Sequence, residues 1–207
     1  KPNCEIYNSA SMTLEEVIEK METGAKKGKK IVRLHTGDPT LYGAIREQMD
    51  LLDEKGITYE VVPGVSSFTA ACSRIKREFT LPNVSQTVIL TRIEGRTPVP
   101  EEEELISLAK HKASMALFLS VKEMDRVVEK LKEGYGRDDV PVAVIYKATW
   151  EDEEIILGTL KDIEEKVNNA GITKTAQILV GDFIYGEYER SKLYDPSFSH
   201  EYREASK

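Results

Sequence analysis

Apolar positions along this chain change their period several times, and each change marks an element. Leu14, Val17, Ile18 and Met21 recur at helical spacing behind Thr13 and Glu16, a capping-box pair, which predicts a helix over 14–23 ended by Gly24 and a lysine-rich stretch. Residues 31–35 form a short β-branched and apolar run that meets Thr36, Gly37 and Asp38, and so predict a buried strand. Pro39 suits the first position of a following helix with Ile45, Met49 and Leu52 as its stripe and Gly56 as its stop. Residues 59–62 predict another strand, broken by Pro63-Gly64, after which Ser66 or Ser67 caps a helix running through Phe68, Ala71 and Ile75.

Strand, helix, strand, helix is the pattern of a parallel sheet with crossover helices on its faces. Residues 78–83, with Pro82, read as a linker. A second series follows: a strand at 87–92, a helix at 101–112, a strand at 115–120, and a helix carrying Val121, Met124, Val127, Val128 and Leu131. Residues 142–146 and 155–158 flank an acidic tip and predict a β-hairpin, before a helix at 160–167 and a strand at 176–180. The fold class is therefore α/β, with two α/β domains: 1–83, built on a parallel sheet, and 84–207, built on a mixed sheet. From residue 185 onward the chain keeps neither period and is expected to form an extended or partly ordered arm.

Charge narrows the partners. The 207 residues carry 29 Lys plus Arg against 36 Asp plus Glu, a net charge of −7, with no basic stripe for nucleic acid. No apolar run approaches the ~18 residues of a membrane span. Cys4 and Cys72 have neither disulfide nor metal-ligand spacing, so neither a disulfide scaffold nor a metal site is expected, and a reducing, cytoplasmic compartment fits. The chain opens on Lys1 and a helix, which suggests a fragment of a longer protein.

In open sheets, ligands gather at the loops beyond the carboxyl ends of the strands. Two loops qualify: 35–43, where Gly37 lets a ligand approach the backbone, and 63–67; both lead into helix N-termini that offer free N–H groups. Together they suit a nucleoside-like ligand with a small anionic group. Asp38 before Pro39 is also an ordinary capping arrangement, and Ser66 and Ser67 singly read the same way. Neither GxGxxG nor a P-loop is present. His35, His111 and His200 lie far apart and sit in no metal-binding or triad pattern, so an enzyme here relies on positioning. Arg74, Lys76 and Arg77 cluster at a helix end. Arg92 and Arg96 lie around a Gly/Pro loop that is either a solvated surface or a lid for a polycarboxylate.

The stretches at 35–44 (His-Thr-Gly-Asp-Pro-Thr-Leu-Tyr-Gly-Ala) and 61–70 (Val-Val-Pro-Gly-Val-Ser-Ser-Phe-Thr-Ala) resemble the tetrapyrrole methylases that use S-adenosylmethionine. The segments at 85–92, 94–100 and 187–195 are most similar to the branch that methylates precorrin-4 or cobalt-precorrin-4 in cobalamin synthesis. The resemblance implies a homodimer of two-domain chains, the cofactor lying in the cleft between the domains. It implies cofactor contacts at Thr36, Gly37, Asp38, Leu41, Ser66 and Ser67, then at Leu119, Ala148, Thr175 and Ala176. For such an anionic substrate, Arg92 and Arg96, with Arg74 as a further candidate, are the residues expected to pair with its carboxylates; the resemblance also implies that a strand and glycine-rich loop precede Lys1. Readings kept beside it are a methylase acting at another position of a corrin-pathway tetrapyrrole and a non-catalytic nucleotide-binding module.

Overall fold

The computed structural model describes residues 4–205. Its chain forms two compact units that divide between Ser66 and Ser67.

In the first unit, helix α1 (Leu14–Lys26) starts on the expected capping box, with Thr13 accepting from the Glu16 N–H and Glu16 closing back on the Thr13 N–H. It buries Ile18 and Met21 against Leu52 of helix α2 (Arg46–Glu54). Two expectations fail here. Residues 31–35 and 59–62 form no strand and pair with none, so among the described residues this unit has no parallel sheet. A strand exists through its ladder, and β-branched composition alone does not supply one. Val32 and Leu34 consequently stand 73% and 80% exposed.

The second helix also starts later than Pro39. The Asp38 carboxylate accepts from both the N–H and the hydroxyl of Thr40, while Tyr42 and Ala44 take left-handed φ values of 56° and 48°; the chain therefore turns through 38–44 before the helix begins. Such φ values are incompatible with a continuing right-handed helix.

The second unit is built on one five-stranded sheet, in the order β1-β2-β5-β3-β4. Strands β1 (Val88–Thr91) and β2 (Ser114–Leu117) are parallel; β5 (Ala176–Val180) runs antiparallel to both β2 and β3 (Pro141–Tyr146). The hairpin forms as expected, with β4 (Glu154–Thr159) pairing β3. The side-chain period of two sorts the strands onto two faces. Met115, Leu117, Val142, Val144, Ile178 and Val180 join the larger core. That core is covered by α4 (Leu105–Ala109), α5 (Met124–Tyr135) and α6 (Ile163–Asn169). Ala116, Ala143, Ile145 and Leu179 face the other way, against α3 (Ser67–Arg74), Phe79 and Phe183.

That second core changes two readings. Phe79 is buried and its ring lies 4.8 Å from Phe183 and 5.7 Å from Phe68, so 78–83 is part of a packed unit rather than a linker. Because α3 packs on β5, the division falls before Ser67 instead of after Asn83. The helix expected over 101–112 breaks at Glu104, whose ψ of 138° is extended, leaving a 3₁₀ turn and the short α4. The helix expected from residue 160 starts at Ile163. Residues 185–205 are largely exposed, and Arg203 gathers their last turn by donating to the carbonyls of Leu193 and Asp195.

Candidate active site

In the first unit the two expected loops meet through Asp38. One carboxylate oxygen takes the Thr40 N–H at 2.8 Å and the other takes the Gly64 N–H at 2.9 Å. The Thr40 hydroxyl, the Gly64 N–H and the Thr40 N–H hold this carboxyl below the usual carboxylate range. The approach is so close that a Cβ on Gly64 would lie 2.0 Å from the Gly37 carbonyl oxygen, and Gly37 itself has φ 68°. Glycine is thus required on both sides of the crossing. Thr36 and Gly37 lie exposed on this crossing, Leu41 is half-buried after it, and Ser66 is buried. Asp38 therefore works as the brace that sets the two loops. His35 beside them is partly buried, which together with Arg33 lowers its pKa.

In the second unit the sheet register gathers the remaining candidates at one end. Thr91 of β1 pairs with Leu117 of β2, which lies opposite Ile178 of β5, and Tyr146 of β3 lies opposite Ala176. Hence Leu119 just past β2, Ala148 just past β3, Thr175-Ala176 at the start of β5 and Arg92 just past β1 all lie beyond the same edge of the sheet. Ser67 is tied to this edge by its hydroxyl, which donates to Gln177 Oε1 at 2.7 Å. Leu119 and Thr175 have φ values of 55° and 57°, and Lys147, next to Ala148, has 47°. Left-handed backbone at side-chain-bearing residues is unusual, and these three lie at one edge of the sheet. Leu119 is 76% exposed and offers an apolar surface there. Sequence reasoning missed Gln177 and Ser120; a polar residue inside the run Ala-Gln-Ile-Leu-Val was the available signal for the first.

The two arginines behave differently. Arg92 folds back into its own loop, donating from Nη1 to Thr97 O at 3.1 Å and from Nη2 to Pro98 O at 2.7 Å. Arg96 is exposed. The same loop is anchored to α5 by Glu94, which pairs with Arg126 and Lys130. Beside it lies a depression of about 380 Å³ whose lining includes Arg96, Pro98, Glu104 and Lys130 and none of the residues on the sheet edge. Arg74 is paired with Glu153 at 2.8 Å, so its charge is already answered within the unit. His111 and His200 lie outside both groupings. Among the described residues no cluster of His, Cys, Asp or Glu is placed to hold a metal ion, and no helix is long and apolar enough to cross a membrane.

The first unit carries two glycine-braced loops and the second a mixed α/β core, and comparison with known proteins gives the chain a family. The profile of the tetrapyrrole (corrin/porphyrin) methylases matches residues 1–164, and the chain belongs to that family. It is 58% identical to the cobalt-precorrin-4 C(11)-methyltransferase of Methanocaldococcus jannaschii over 100% of this chain and 80% of that protein. The enzyme of the same description from Priestia megaterium is 47% identical over 100% of this chain and 82% of that protein. Among solved structures, the cobalt precorrin-4 methyltransferase CbiF superposes with a TM-score of 0.87 at 48% identity, covering 89% of this chain and 77% of that one.

Proposed function

We propose that this chain transfers the methyl group of S-adenosylmethionine to carbon-11 of precorrin-4 or cobalt-precorrin-4 in cobalamin biosynthesis. The observation that carries the reading is kinship along the whole chain with enzymes of that description. Geometry agrees with it. The residues assigned to the cofactor fit such a ligand: a backbone crossing at Gly37 and Gly64 that leaves no room for side chains, an exposed apolar Leu119, and a hydroxyl at Ser67.

The residues proposed to hold the cofactor are Thr36, Gly37, Leu41 and Ser66 in the first unit, and Ser67, Leu119, Ala148, Thr175 and Ala176 in the second. Asp38 serves them by bracing the loops. When bound, the cofactor supplies a methyl group on a sulfonium, already activated for displacement. The protein's part is then to place the acceptor carbon about 3 Å from that methyl and exclude water. Arg96 is proposed to pair with a carboxylate of the tetrapyrrole, and Arg92 to hold the loop that presents it. The working unit is proposed to be a homodimer in the cytoplasm.

Calorimetry with S-adenosylhomocysteine, followed by product mass and ring position with a cobalt-precorrin-4 acceptor, tests the reading. Binding followed by one methyl added at carbon-11 is the expected result. Absence of S-adenosylhomocysteine binding together with tight binding of a nucleoside phosphate would overturn it.

A further inference from the structure

Gln177 is 3% exposed and sits inside an apolar strand on the face that packs against α3. A buried amide on the strand face that also carries the core residue Leu179 is tolerated only with its hydrogen bonds made. They are made in one direction. The Leu117 carbonyl can only accept, so the Gln177 NH₂ group faces it, at 2.9 Å. That orientation leaves Oε1 for Ser67, whose hydroxyl must then be the donor, at 2.7 Å. The single proton of Ser67 is committed to Gln177, and Ser67 meets any ligand as an acceptor.

The other side of the same turn is held as firmly. Ser120, fully buried, accepts the Ile93 N–H at 2.9 Å and donates to the Phe118 carbonyl at 2.6 Å, while the Phe118 N–H reaches Thr91 O at 2.8 Å. The chain entering Leu119 is therefore anchored at two successive carbonyls, that of Leu117 on Gln177 and that of Phe118 on Ser120, and the buried Ser120 holds the residue that follows it. This explains how a leucine is kept at φ 55° and exposed, a conformation it would leave if its neighbours were loose.

We infer that Gln177 is the positioning residue of the cofactor site: it fixes the Leu119 turn and sets Ser67 as a hydrogen-bond acceptor for a donor group of the ligand, a ribose hydroxyl or the ammonium. This inference rests on the S-adenosylmethionine reading above. Gln177 touches neither reacting atom and acts through Ser67 and Leu117.

The test uses the whole chain and three variants: Gln177→Met, which keeps volume and removes both hydrogen bonds, Ser67→Ala, and Ser67→Thr, which keeps the hydroxyl. Gln177→Met and Ser67→Ala should each weaken S-adenosylhomocysteine binding by about tenfold in calorimetry, the scale of one or two lost buried hydrogen bonds. Ser67→Thr should stay within about threefold. In steady state, KM for S-adenosylmethionine should rise in both weakened variants while KM for the tetrapyrrole stays put, a split that a general loss of stability does not produce. Ser67→Ala removes one of the two Gln177 hydrogen bonds and leaves the one to Leu117 in place, a smaller disturbance of the core than Gln177→Met, so it remains informative if Gln177→Met unfolds. Wild-type binding with unchanged affinity in Ser67→Ala overturns this inference alone; failure of the wild-type chain to bind S-adenosylhomocysteine overturns both it and the cofactor reading.

Discussion

Asp38 and Gly64, twenty-six residues apart, are joined by a hydrogen bond of 2.9 Å from the Gly64 N–H to the Asp38 carboxylate, at the point where Gly64 passes directly over the Gly37 carbonyl. Charge and missing bulk are both needed for this crossing. The carboxylate answers three donors, two from Thr40 and one from Gly64, and so converts two loops into one fixed surface.

Replacing Asp38 by Ala leaves those three donors without their acceptor. S-adenosylhomocysteine affinity should fall by about tenfold, the order expected for charge-assisted bonds, with Thr36 and Gly37 losing their set position. Hydrogen bonding depresses the folded pKa of Asp38, so the brace is complete above the ordinary carboxylate range and is lost as pH falls through the lowered value. The Gly64 amide resonance should titrate with that carboxyl, at a pH below the usual value for aspartate. A flat shift across the acid range would show that the bond does not form in solution.

Gly64→Ala and Gly95→Ala separate a required glycine from an optional one. At Gly64 the new Cβ would meet the Gly37 carbonyl oxygen at 2.0 Å, whereas at Gly95 nothing lies within 4 Å. The first substitution should abolish S-adenosylhomocysteine binding and lower the melting temperature. The second should leave both unchanged. Equal behaviour of the two would remove the steric argument for the crossing.

The second unit was legible in the sequence because its elements carry their own signals. The Tyr146 and Ile155 arms of the hairpin, the Val127–Leu131 stripe and the 176–180 strand all appear where their periods place them. The first unit was read wrongly at 31–35 and 59–62 because β-branched runs show where a strand would fit, while pairing depends on what lies alongside. Of the candidate site, the loop glycines and Ser67 were visible as motif residues. Gln177 and Ser120 were not, since their roles arise from strand register and from which carbonyls end up facing them. Arg92 was read as either a solvated residue or a contact to the substrate's carboxylates, and its turn back onto Thr97 and Pro98 follows from loop geometry that composition does not encode.

Arg92 and Arg96 should divide by mutation. Arg96→Ala removes an exposed charge and should raise KM for the tetrapyrrole by roughly tenfold with kcat and melting temperature unchanged, as for loss of one charged contact to a carboxylate. Arg92→Ala frees the Thr97 and Pro98 carbonyls. It should raise the same KM and in addition make the 93–98 loop sensitive to proteolysis. An unchanged KM in Arg96→Ala would withdraw that arginine from the substrate.

The two cysteines give a chemical check on the second core. Cys72, on the buried face of α3, has its Sγ 3.0 Å from the Arg77 carbonyl, while Cys4 is exposed. Burial pushes the Cys72 thiol up to about 11. A maleimide reagent at neutral pH should therefore label one thiol quickly, at Cys4, and the second only on unfolding. Because the folded state holds this proton more tightly than the unfolded chain, Cys72 contributes stability that falls as pH rises from about 9 to about 11. Replacing Cys72 by Ala should flatten the pH dependence of the urea midpoint in that window.

Gly134 in α5 offers a sign test of packing against propensity. Alanine is favoured over glycine inside a helix by about 1 kcal/mol, so on propensity alone Gly134→Ala would stabilise the protein. The structure predicts the opposite. A Cβ there would lie 2.4 Å from Ala109 Cβ and 2.7 Å from the Ile106 carbonyl oxygen, because α5 crosses α4 at this glycine. Overpacking of a tight core costs about 1–3 kcal/mol, and both obstructing atoms belong to short, rigid groups of α4 that cannot rotate aside. The net expectation is destabilisation by about 1–2 kcal/mol, read as a lower urea midpoint at unchanged slope. Gly134→Ala combined with Ala109→Gly removes one of the two clashes and should recover part of that loss. Stabilisation by the single substitution would mean that α4 and α5 are separated further than this close crossing allows.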